Sequence, residues 1–242
     1  MSELKIPTEE VQLPSKGKLY PEDNPLSKGV VEIKYMTARE EDILSNQSFI
    51  EKGNVLDKLL ESVIVGDINI KDLLIGDKNA IMVAVRALGY GNEYKFSYGG
   101  REEIVDLSLV SNKELPKEIE DHTKNEFTMT LPKSENVVTF KLLNGHDEAK
   151  IDQEIKGLQK MQKEGVPNLT TRLKHQITSV NGDTSTKGIR DFVDNYLLAQ
   201  DSRALREKIR SISPDVDLTF IPEGREEAVD IPVGISFFWP DL

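Results

Sequence analysis

The sequence predicts an α+β fold: a helical body, a small antiparallel β region inserted into it, C-terminal strands and an extended N-terminal arm. Three observations predict it. The apolar period is helical from Thr37 to Gly91, alternates from Glu93 to Leu143, and is helical again to Ile212. Prolines and glycines punctuate the first 36 residues. Beyond residue 212 the pattern alternates once more. Boundaries follow: an arm and short strand at 1–36, the helical body at 37–92 and 144–212, the β insertion at 93–143, and C-terminal strands with an aromatic tail at 213–242.

In the arm, "VQLPSKGKLYPEDNPLSKG" holds three prolines and two glycines. Each proline holds the residue before it extended. "VVEIKYM" then alternates Val31, Ile33 and Tyr35 against Glu32 and Lys34, a strand with one buried face. "TARE" (Thr37 to Glu40) is a capping box that opens a helix to about Ser45. "VLDKLLESVI" carries one apolar stripe. "DKNAIMVAVRALGYG" reads as a helix with Asp77 at its N-cap, stopped by Gly89 and Gly91.

"YKFSY" and "EIVDLSL" flank a "GGR" turn, and "EFTMTLP" and "VVTFKLL" pair around "KSEN". "NKELPKEIEDHTKNE" between the pairs reads as a solvated acidic loop. A helix places Ile151, Ile155, Leu158 and Met161 on one stripe and ends at Gly165. The next carries Leu169, Leu173, Ile177 and Val180 to the stop at Asn181-Gly182. "TKGIRDFVDNYLLAQ" and "SRALREKIRSI" follow, the second capped by Asp201 or Ser202. "DVDLTFIP" and "AVDIPVGISFFWP" read as strands, the second at an edge because of Pro232.

Length and composition bound the function. At 242 residues the chain makes one large domain or two small ones, and 38% hydrophobic with 30% charged residues is a globular balance. With no cysteine there is no disulfide, thiol nucleophile or Cys-ligated zinc, which fits synthesis in a reducing compartment. No apolar run reaches a membrane span, and the N-terminus lacks the apolar core of a signal peptide. A net charge of −11 opposes general nucleic-acid binding and favours protein partners.

No catalytic set stands out. His122, His146 and His175 are far apart and lack zinc-protease spacing. "NGHDEAK" gathers His146, Asp147 and Glu148, a conceivable acid–base group, but acids at a helix start ordinarily complement its dipole. "NGDTSTKG" has phosphate-loop letters in the wrong order and reads as a turn with a hydroxyl cap. "RALREKIR" sets Arg203, Arg206, Lys208 and Arg210 against Glu207, a basic face that meets solvent, an acidic neighbour or a nucleic acid.

The chain ends in "ISFFWPDL", with its only tryptophan beside two phenylalanines. Phe237, Phe238 and Trp239 each have about 150–250 Å² to bury. Either the chain's own core receives them or a neighbouring subunit does. On a strand, adjacent residues face opposite ways, so one side serves the core and the other a partner.

Taken together, several stretches resemble the baseplate hub subunits of T4-like tailed bacteriophages. They are "LPSKGKLYP", "KYMTAREEDIL", "AVRALGYGNEY", "ITSVNGD", "QDSRALREKIRSISPDVDL" and the terminal "FFWP", and their order and spacing cover nearly the whole chain. Many members of that family place paired cysteines in the insertion, as a small metal knuckle requires. Here that segment reads "YKFSYGGREEI", so no metal and no cofactor is expected.

The resemblance implies a structural, non-enzymatic component of the tail baseplate, made in the host cytoplasm and built into the virion. Its partners would be other baseplate or hub proteins and the tape-measure protein, in an oligomeric assembly, with neither membrane nor nucleic acid contacted directly. The alternative within the same biology is an assembly chaperone that leaves before the tail is complete. On this reading Leu13, Pro14, Leu19, Tyr20 and Pro21 anchor one arm at an interface and Phe237, Phe238 and Trp239 the other. Arg203, Arg206 and Arg210 supply polar contacts. The competing use of both arms is to wrap this subunit's own core.

Overall fold

The first strand lies back along the second. In the computed structural model, which describes residues 6–120, 122, 124–161, 167–222 and 224–238, β1 (Thr8–Gln12) pairs antiparallel with β2 (Val30–Lys34), Val11 opposite Val31. Val11, Val31 and Ile33 turn their side chains inward. The expected extended arm is therefore, from Thr8 onward, a folded hairpin. The reason lies in the connecting loop, where Lys16, Gly17 and Leu19 all adopt positive φ and reverse the chain. Gly17 is required there, because a Cβ would stand 2.2 Å from the Ser27 carbonyl oxygen.

The helical body follows. Helix α1 (Ala38–Leu44) starts on the expected capping box, with the Thr37 amide donating to Glu40 Oε2 at 2.8 Å. Short α2 (Gln47–Lys52) leads to α3 (Val55–Val63), whose stripe Val55, Leu59, Leu60 and Val63 is buried. Helix α4 (Ile75–Tyr90) is the central element. Its first turn is pressed against the Pro214 backbone, and a Cβ on Gly76 would fall 1.9 Å from the Pro214 carbonyl oxygen.

The β region consists of two parts. Strands β3 (Glu93–Tyr98) and β4 (Arg101–Asp106) form a hairpin across Gly99-Gly100. The segment after it is not the solvated loop expected from its charge. Leu115 is buried, as is Ile119 on the single turn α5 (Lys117–Glu120), and Asn112 bridges to Val216. Two apolar residues among many acids suffice to pin a loop when each finds the core.

Strands β5 (Phe127–Thr130) and β6 (Val137–Phe140) pair as expected, but the sheet extends beyond the insertion. After α6 (Gly145–Met161) and α7 (Asn168–Gln176), the chain returns as β7 (Ile177–Val180) on the free edge of β6. Ile177 and Val180 were expected on a helix. Their β-branched run Ile-Thr-Ser-Val suits a strand, and Asn181-Gly182 turns it. The apolar stripe of α6 leaves the core along its length: Ile151 is buried, Ile155 and Leu158 are half-buried, and Met161 is 84% exposed. The stop expected at Gly165 lies outside the described residues.

Helix α8 (Thr186–Asp191), capped by Ser185, runs into a π-helical turn at Phe192–Tyr196 and then α9 (Ala199–Ile212). Strands β8 (Thr219–Phe220) and β9 (Val229–Asp230) are short and antiparallel. The second expected C-terminal strand is corrected beyond Asp230. Ile235–Phe238 form a 3-10 turn, so Phe237 and Phe238 do not face opposite ways, and both are fully buried. The class is α+β, with small antiparallel sheets packed on helices.

Candidate functional site

Asp77 organises the N-terminal loop. It is not the N-cap of α4, which starts two residues earlier at Leu74–Ile75 with no side-chain cap. From the first turn its carboxylate accepts hydrogen bonds from the Ser15 amide at 2.9 Å, the Ser15 hydroxyl at 2.7 Å and the Tyr20 hydroxyl at 2.6 Å. Tyr20 in turn accepts from the Leu74 amide at 2.9 Å, which satisfies an N–H at the helix start. All three side chains are buried. Burial pushes both the Tyr20 phenol and the Asp77 carboxyl above their usual values, and the donors of Tyr20 and Ser15 pull Asp77 back only in part.

This lock decides where the expected arm anchors lie. Leu13, Pro14, Leu19 and Tyr20 are buried against the chain's own core, and only Pro21 of that set is exposed. Leu19 has φ of 72°, a costly conformation for a branched residue, held by the Ser15 and Tyr20 bonds on either side.

The aromatic end is received by Arg86. Its Nε donates to the Phe237 carbonyl at 2.8 Å, and its two terminal nitrogens donate to the carbonyls of Gly91 and Glu93. The guanidinium lies 5.8 Å from the Tyr94 ring centroid, and Tyr94 meets Phe237 edge-on at 4.7 Å. Phe238 meets Phe237 edge-on at 5.4 Å. Of the two uses open to the tail, Phe237 and Phe238 take the first, completion of the core. They are corrected from interface anchors to core residues. Trp239 lies outside the described residues.

Arg203, Arg206 and Arg210 sit at i, i+3 and i+7 on α9 and are all exposed. Arg203 pairs with Glu207 at 2.8 Å, and the Arg206 Nε donates to the Ser202 carbonyl. Here the structure leaves a row of cations on the surface. The buried face of the same helix carries Leu205, Ile209 and Ile212, together with Asp201. Asp201 does not cap its own helix: it accepts from the amides of Lys133 and Ser134 at 2.7 and 3.0 Å, fastening the β5–β6 turn to α9.

The acid–base candidates disperse. His146 Nε2 lies 2.9 Å from Asp72, Asp147 pairs with Lys141 at 2.6 Å, and Glu148 pairs with Arg172. Three adjacent residues thus engage three separate partners. A further cluster ties α6, α7 and α8, where Glu154 accepts from Arg190 at 2.6 and 2.7 Å and lies 3.0 Å from His175. Arg190, with His175 and despite partial burial, holds the Glu154 carboxyl down at about 2. Among the described residues no group of three or more His, Asp or Glu is placed to hold a metal ion, and no helix is long and apolar enough to cross a membrane.

Neither Arg86 nor Glu154 was identified from sequence. Arg86 carried a signal, a lone charge in the apolar run "IMVAVRALG", where an unpaired cation is too costly to bury. Comparison with known proteins finds no matching family model, no matching curated protein and no matching solved structure.

Proposed function

We propose that the chain is a structural subunit of the hub region of a T4-like phage baseplate, acting by protein–protein association in the tail. The sequence resemblance carries this reading. One structural observation supports it: three of the six stretches that bear the resemblance fasten other parts of the fold. "LPSKGKLYP" closes on Asp77, "AVRALGYGNEY" holds the C-terminal aromatics through Arg86, and "QDSRALREKIR" holds the β5–β6 turn through Asp201. Residues devoted to cross-bracing a body suit a component that bears contacts.

With Leu13, Leu19, Tyr20, Phe237 and Phe238 engaged internally, partner contact falls to the exposed surface. Arg203, Arg206 and Arg210 supply it, toward acidic faces of other baseplate or hub proteins or the tape-measure protein. The assembly is oligomeric and located in the virion tail. Arginine rows of this kind form charge-assisted contacts that set orientation as well as affinity. Quantitative mass spectrometry of purified tails tests the reading. A fixed stoichiometric copy number is expected. Presence on assembly intermediates with loss from finished tails would transfer the protein to the assembly-chaperone class.

A further inference from the structure

A charged trough lies away from α9. It is lined by the α2–α3 corner, by Lys71 and the first half of α4, and by α6, and its apolar lining residues include Leu56, Ile75 and Met82, which are buried or half-buried. The trough has a volume of about 970 Å³. Along α6 the lining runs from Gly145 to Lys160, about 22 Å at ~1.5 Å per residue.

Its charge is opposite to that of the chain. Seven cationic residues line it against four acids, an excess of three positive charges on a protein of net charge −11. Three of the cations are neutralised locally: Lys58 by Glu61, Lys78 by Asp57 and Arg172 by Glu148. Lys52, Lys71, Lys156 and Lys160 take part in no ion pair among the described residues, and of the four acids in the lining only Asp152 is not already paired with a lining cation. They stand at both ends. A Cβ on Gly53, beside Lys52, would lie 4.0 Å from Lys156 Nζ, while Gly145 abuts the Lys71 backbone.

We infer that this trough binds an acidic amphipathic helix of a partner protein. Leu56, Ile75 and Met82 take the helix's hydrophobic stripe, and the four exposed lysines without an ion-pair partner take its carboxylates, the helix-in-groove mode of recognition. Against a nucleic acid, the lining has no aromatic side chain on which a base would stack. The inference goes beyond the tail assignment and does not depend on it. Failure to bind leaves that assignment standing, and absence from tails leaves the trough's chemistry standing.

The test is fluorescence anisotropy of the full chain with a labelled synthetic helix bearing glutamates on one face and leucines on the other. Saturable binding is expected, weakening between about 50 and 200 mM salt. It should be lost when the leucines become serines, and weakened about tenfold or more by Lys71→Glu with Lys156→Glu. Thermal melts establish that the variant is folded. The milder pair Lys52→Gln with Lys156→Gln should weaken binding in the same direction with less disturbance. No binding, equal binding of a lysine-for-glutamate peptide, or tighter binding of a single-stranded oligonucleotide would each overturn the inference.

Discussion

Arg86 Nε and the carbonyl oxygen of Phe237 meet at 2.8 Å across 151 residues of chain. The bond joins the C-terminal part of α4 to the turn that buries Phe237 and Phe238. It makes a charged side chain the receiving surface for an apolar terminus. The guanidinium has three carbonyl acceptors and two neighbouring aromatic rings, so its burial is compensated.

Replacing Arg86 by Ala strips donors from three carbonyls and opens a void beside Tyr94. Destabilisation of about 2–4 kcal/mol is expected in urea unfolding. Phe237→Ala, which empties a fully buried site, should cost about 3–5 kcal/mol. Arg206→Ala, exposed on α9, serves as the contrast and should stay within about 0.5 kcal/mol.

Asp77→Ala leaves the Ser15 amide, the Ser15 hydroxyl and the Tyr20 hydroxyl without their acceptor. A loss of about 2–4 kcal/mol is expected, and about 1–2 for Ser15→Ala. Because both act through one cluster, a double-mutant cycle should give a coupling of about 1 kcal/mol or more. Additive losses would show that Ser15 and Asp77 stabilise the loop independently.

Glu154 has its carboxyl lowered from 4.5 to about 2 by Arg190 and His175. A depressed carboxyl contributes stability that is fully present above pH 4.5 and is lost as the pH falls toward 2. Glu154→Gln should therefore flatten the acid limb of the stability curve in that window. It should cost about 1–2 kcal/mol at neutral pH, allowing for screening at a partly exposed site. Glu40, also held at about 2, is present in both proteins, so the difference isolates Glu154.

The regular elements were legible where one local signal decided them. Thr37 and Glu40 announced α1, the Val55–Val63 stripe announced α3, and Gly99-Gly100 announced the β3–β4 hairpin. Elements settled by distant partners were not. Ile177 and Val180 fit a helical spacing and a strand equally well until β6 offered its edge. The 3-10 turn at Phe237 depends on Arg86, and the return of the N-terminal arm on a carboxylate some sixty residues away at Asp77. The polar locks were the least legible part, because Asp77 and Asp201 both stand where a helix cap is expected and both reach to another segment instead. The arginine row of α9 could be read directly, since a helical spacing of exposed cations needs no tertiary partner to define it.

The proposed role is association through the exposed charged surface, with Leu13, Leu19, Tyr20, Phe237 and Phe238 engaged in the chain's own core. The most direct measurement is the copy number, per purified tail, of a variant carrying Arg203→Glu, Arg206→Glu and Arg210→Glu. The expected result is a variant whose unfolding curve matches the parent but which is absent from tails or reduced at least about tenfold. Incorporation at the parental copy number would contradict it.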